Sequence, residues 1–156
     1  MNIEPIRAAI IATMTSIADI GHVHSFERYA AQEGDFRTLY LYNLGGGAKQ
    51  IRGWYVRRVA SRQIHSLQGV DDLHTWRIRG FRAIDDATQS EIAFDAHVEA
   101  LRERFEAGIT LADTVLTTID ENGDGVTLEE SEPVLLAGVL CHSARLRLVT
   151  RNTHYD

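Results

Sequence analysis

The chain has 156 residues, 44% apolar and 24% charged, with a formal net charge of −6. That length suits one domain that buries its own core without metals or disulfides, and its single cysteine, Cys141, excludes an internal disulfide. The composition excludes collagen, disordered and disulfide-scaffold classes; the acidic balance disfavours a tight nucleic-acid binder, and no apolar run reaches the ~18 residues of a membrane span.

Ile6, Ile10, Met14 and Ile17 recur at helical spacing and predict a helix over 3–19, with Pro5 in its first turn and Gly21 ending it. The same stretch carries Glu4 and Asp19 and lacks the basic start and cleavage site of a secretory signal. A soluble intracellular product is expected. HVHSFERYA (22–30) predicts a strand, with Val23, Ser25, Glu27 and Tyr29 on one face and His22, His24, Phe26 and Arg28 on the other. Residues 32–35 read as a turn, and the aromatic run 36–43 as a further strand. Gly45, Gly46 and Gly47 read as a flexible connection.

Two long strands are predicted over 50–62 and 73–85, with no clear periodicity in 63–72 between them. Each pairs a tryptophan with a central glycine: Trp54 with Gly53, and Trp76 with Gly80. Arg52, Arg58, Arg77 and Arg79 sit among apolar neighbours, so one sheet face is expected to meet water or a partner subunit. SEIAFDAHVEALRERFEAG (90–108) predicts an amphipathic helix. Ser90 is its expected cap, Phe94, Val98, Leu101 and Phe105 its buried stripe, and Gly108 its stop. TVLTTID (114–120) and VTLEE (126–130) flank a turn and read as a hairpin. In 138–151, Leu140, His142, Ala144, Leu146 and Leu148 alternate with Cys141, Ser143, Arg145 and Arg147, as in a half-buried strand. The whole reads as a single α+β domain over 1–156, with a mostly antiparallel sheet and two amphipathic helices on one face.

Charge is segregated along the chain. Residues 37–84 hold nine basic and two acidic side chains, while residues 85–132 hold two basic and 14 acidic ones. Fifteen of the 16 basic residues are arginine. Such a bipolar chain fits self-complementary contact between copies, and arginine suits interfacial pairs. Arg52, Arg57, Arg58, Arg77 and Arg79 are the expected interface residues.

Motifs with chemistry are sparse. Asp120, Asn122, Asp124 and Gly125 match the first half of a calcium-binding EF-hand loop, but Ser131 stands where a bidentate glutamate belongs. A solvated hairpin is the preferred reading. His22 and His24 share a strand face without a third ligand, and GGGAKQ (45–50) lacks the Lys-Ser/Thr pair of a phosphate loop. Cys141 and His142 are adjacent, so a strand points them to opposite faces. Glu129, Glu130 and Glu132 read as an acidic surface run. No catalytic constellation, metal or cofactor is expected.

Taken in order, these elements resemble the tail terminator (tail-completion, minor tail) proteins of long-tailed bacteriophages. The resemblance rests on the first amphipathic helix, HVHSFERY (22–29), IRGWYVRR (51–58), TWRIRGFRAID (75–85), SEIAFDAHVEALRERF (90–105) and GVLCHSARLRLVT (138–150). It implies a non-enzymatic virion protein, assembled in the bacterial host cytoplasm and placed at the tail–neck junction. Its expected form is a hexameric ring that caps the tail tube protein and meets the neck connector. DNA would pass through the ring without tight binding, no membrane is involved, and 45–47 would be a flexible assembly loop. The competing expectations are another neck or head-completion protein of similar fold, and a small enzyme or ligand-binding domain holding an anion with His22, His24 and the arginines.

Overall fold

The protein is described here by a computed structural model covering residues 2–155. Helix α1 (Glu4–Thr15) leads into strand β1 (His22–His24), helix α2 (Glu33–Thr38) and strands β2 (Leu41–Gly45), β3 (Ala48–Ser66) and β4 (Gly69–Ala83). A 3-10 turn (Asp86–Thr88) precedes helix α3 (Ser90–Ala107), and strands β5 (Thr127–Leu136) and β6 (Val139–His154) complete the chain. The fold is α+β, with one six-stranded sheet in the order β1-β3-β4-β6-β5 and β2 paired to β3 beside β1. Every pairing is antiparallel except β1 with β3. No helix among the described residues is long and apolar enough to cross a membrane.

Strand alternation divides the sheet into two unlike faces. Val56, Ile78 and Leu146 form one row across three strands, and Trp76 and Leu148 extend the next. Against this face pack Ile6, Ile10 and Met14 of α1 and Phe94, Val98, Leu101 and Phe105 of α3, all buried. Trp54 faces Gly80, which in turn faces Ala144. A Cβ at Gly80 would overlap the Trp54 ring, so two small residues make the slot that the indole fills. The indole then stacks on Phe94 at 5.8 Å and donates Nε1–H to the Ile20 carbonyl at 3.0 Å. Trp76 satisfies its own Nε1–H on Thr150 Oγ1, also at 3.0 Å. Both large rings are thus buried without an orphan donor.

At one end of the opposite face, a smaller cluster joins Tyr40, Ile51, Tyr55, Phe81, Leu136 and Cys141. Phe36 on α2 meets Tyr40 at 5.6 Å, and Tyr40 meets Phe81 at the same centroid distance. This contact explains why residues 33–38 are helical where a turn and strand were expected. The four-residue spacing puts Phe36 and Tyr40 on one side of a helical turn, and tertiary packing overrides β propensity.

Other expectations are corrected by pairing. The strand over 22–30 contracts to His22–His24, because only those residues find a partner, at Gly53–Tyr55. Gly45 closes β2 and Gly46–Gly47 form the two-residue turn between β2 and β3, all three at positive φ. Residues 63–72 are the end of one long β3–β4 hairpin, turning at Leu67–Gln68. Residues 114–120 make a single bridge, Thr117 to Arg151, so the predicted hairpin with 126–130 does not form. Strand β5 pairs with β6 instead, through a turn at Ala137 and Gly138, where φ is 47° and 79°. Ser90 does not cap α3. Gln89 takes that place in the left-handed region, and no side-chain cap bond is made.

Candidate functional site

Between the Tyr40–Phe81 cluster and the far end of the hairpin, the face opposite α1 and α3 carries arginine. Arg57 on β3 stands opposite Arg77 on β4, which stands opposite Arg147 on β6. In the adjacent row Tyr55 faces Arg79, and Arg79 faces Arg145. Like charges placed directly opposite on neighbouring strands repel, and a sheet built for stability alone avoids them. Five guanidinium groups on one face are therefore the least explained feature of the fold by folding energetics.

Acidic groups reach this band from its borders. Arg57 Nη1 donates to Glu27 Oε2 at 2.8 Å, Arg145 Nη2 lies 2.8 Å from Glu130, and Arg147 Nη1 donates to Asp120 Oδ2 at 3.0 Å. Arg79 lies over the Phe81 ring at 5.4 Å. Arg77 and Arg79, in the middle, have no ion-pair partner among the described residues. Both are half-buried, so their charges are partly withdrawn from water without a carboxylate in ion-pair contact.

The five expected interface arginines do not act as one set. Arg57, Arg77 and Arg79 share the face opposite α1 and α3. Arg52 and Arg58 lie on the helix face, two residues either side of Trp54 and Val56. Arg52 is buried and internally satisfied, donating to Gln50 Oε1 at 2.7 and 3.1 Å and to the Asp19 carbonyl at 3.1 Å. Arg58 is exposed beside Ile3, Asp72 and His74. Arg145 and Arg147, absent from the expected set, complete the band. Their shared parity on the last strand is visible in the sequence, but their register against β4 is not.

The EF-hand-like segment serves this same face. Asp120 Oδ1 accepts the backbone N–H of Asn122 and of Asp124, each at 2.9 Å, while Oδ2 holds Arg147. Burial works against ionisation here, but the bonds from Asp124, Arg147 and Asn122 outweigh it and hold the carboxyl below the usual aspartate range. Among the described residues no three His, Cys, Asp or Glu side chains form a metal-holding group. A cleft of about 330 Å³ separates this turn from the sheet, lined by Arg62, Leu73, Thr75, Asp120, Arg147 and Val149.

His22 and His24 are engaged elsewhere. Their Nε2 atoms meet the carbonyls of Leu41 and Leu39 at 2.7 and 2.8 Å, so they clasp the chain entering β2. Burial keeps His24 below the usual histidine value. The arginines of the band do not converge on this pair. Cys141 and His142 point to opposite faces, as strand geometry requires, and burial pushes the Cys141 thiol up to about 11. One contact escaped sequence reading: Ser90 Oγ lies 2.7 Å from His142 Nε2 and accepts the Asp85 N–H at 2.8 Å. Ser90 is buried, and the His142 ring stacks on Phe94 at 5.9 Å, so this pair fastens the start of α3 to β6.

No protein-family model matches this chain, and no curated protein matches it.

Proposed function

We propose that this chain is a structural subunit that works by assembling with copies of itself, as a tail-terminator-type ring of a long-tailed bacteriophage. In this reading the ring, a hexamer, caps the tail tube, stops its growth and offers its upper surface to the neck connector. It is built in the bacterial cytoplasm, remains in the virion and catalyses nothing. DNA crosses the ring with only weak, salt-screened contact.

The observation that carries the reading is the Arg57–Arg77–Arg147 row with Arg79 and Arg145 beside it. These groups weaken the isolated sheet and gain when carboxylates or phosphates come opposite. The opposing sign is abundant on this chain: Glu91, Asp95, Glu99, Glu103 and Glu106 are all exposed on α3, across the sheet from the arginines. A molecule with unlike charge on its two sides favours head-to-tail contact, which makes a ring when the rotation between neighbours closes. Replacement of Arg77 and Arg79 together by glutamate tests this reading. Assembly measured by sedimentation should weaken while the circular dichroism of the subunit is unchanged, and undiminished assembly would contradict it.

A further inference from the structure

The sheet ends in two free edges, and these carry opposite charge. On one side β1 and β2 cover β3 only as far as Tyr55. Residues 57–66 thus have no strand on their outer side, and this stretch contains Arg57, Arg58 and Arg62 with no acid. On the other side β5 pairs with β6 alone. Residues 127–133 of β5 contain Glu129, Glu130 and Glu132 with no base. Both stretches are exposed along most of their length.

A free edge offers unpaired N–H and C=O groups to any other strand, and proteins blunt such edges with charge, bulges and proline. Here each edge has a register shift, between Arg58 and Ala60 on β3 and between Leu128 and Glu130 on β5, and β5 also contains Pro133. The charges do more than blunt. Like-signed edges repel, which excludes β3 against β3 and β5 against β5, and leaves only the unlike pair. Resting on the ring reading above, we infer that copies of this chain join edge to edge, the basic β3 edge of one pairing antiparallel with the acidic β5 edge of the next.

The geometry of the sheet supports this junction. Strands β3, β4, β6 and β5 alternate in direction, so an antiparallel β5–β3 junction returns the next copy to the same orientation. Neighbours are then related by rotation with no flip, the relation that closes a ring. Of the charges at the junction, Arg57 pairs with Glu27 and Glu130 with Arg145, each at 2.8 Å, while the others are unpaired or held through exposed contacts. Arg58 has no ion-pair partner among the described residues, and Arg62 holds Glu121 through an exposed contact. Glu129 and Glu130 share Arg145, and the neighbouring Glu130 pushes Glu132, which has no ion-pair partner among the described residues, above the usual carboxylate range. A cation brought across from β3 relieves that crowding.

The test exchanges charge between the edges. Arg58→Glu/Arg62→Glu makes both edges acidic, and Glu129→Arg/Glu132→Arg makes both basic. Each variant alone should need about tenfold or more higher concentration to assemble. An equal mixture of the two should assemble as the native protein does, and so should one chain carrying all four substitutions. Those rescues also show that the variants fold. Native-like assembly of either variant alone, or failure of both rescues, overturns the edge pairing while leaving the ring reading intact. A native chain that never assembles removes the ring reading and the edge pairing with it.

Discussion

Asp120 joins two parts of the molecule through one carboxylate. Its Oδ1 closes the 120–124 turn, and its Oδ2 anchors Arg147 in the arginine band. Asp120→Asn keeps an acceptor for the turn and removes the charge. Because Arg147 is 36% exposed, the loss should be modest, roughly 1 kcal/mol near neutral pH. The folded-state pKa of Asp120 is depressed, so its contribution is fully present above the unfolded value of about 4. It is lost as pH falls through the folded value. Urea unfolding of both proteins across acidic pH should show the stability difference shrinking to nothing in that direction, and a difference independent of pH would contradict the assignment. This role was hidden in the sequence. The oxygen-rich spacing of Asp120, Asn122 and Asp124 is shared by metal loops and by tight side-chain-closed turns. Only the approach of Arg147, 27 positions on, separates the two.

At the scale of elements, one-sided burial wrote the helices plainly. Phe94, Val98, Leu101 and Phe105 recur every three or four residues because one stripe of α3 faces the sheet, and all four are buried. Leu101 is fully enclosed, so Leu101→Ala should cost roughly 2–5 kcal/mol in chemical denaturation, and a negligible loss would contradict its place in the core. The two long strands were legible for a similar reason, since Trp54 and Val56 alternate with Tyr55 and Arg57. Elements defined by partners were not legible. Residues 25–30 alternate as a strand would, yet the strand stops at His24, where its pairing with β3 stops. Residues 114–120 have β-prone composition but meet β6 at one bridge only. The arginine site was half legible. Parity separates Arg57 from Arg52 and Arg58 along one strand, but which face meets Arg77 and Arg147 follows from register, a property of neighbouring strands and not of one strand.

Across the whole molecule the sequence of charge becomes a map of charge. The basic segment 37–84 supplies β3 and β4, and so the basic edge and Arg57, Arg77 and Arg79 of the arginine band, which Arg145 and Arg147 of β6 complete. The acidic segment 85–132 supplies the outer side of α3 and the β5 edge. Helices α1 and α3 cover one face of the sheet and α2 one end of the other, beside the arginine rows, and the two sheet edges differ in charge. The direct measurement is the mass of the purified native chain in solution, by sedimentation velocity over a range of concentrations at low and at high salt. A closed species of several subunits, six in the reading proposed here, should dominate at low salt and dissociate as salt screens the charged contacts. A single monomer boundary at every concentration, indifferent to salt, would contradict assembly as the work of this protein.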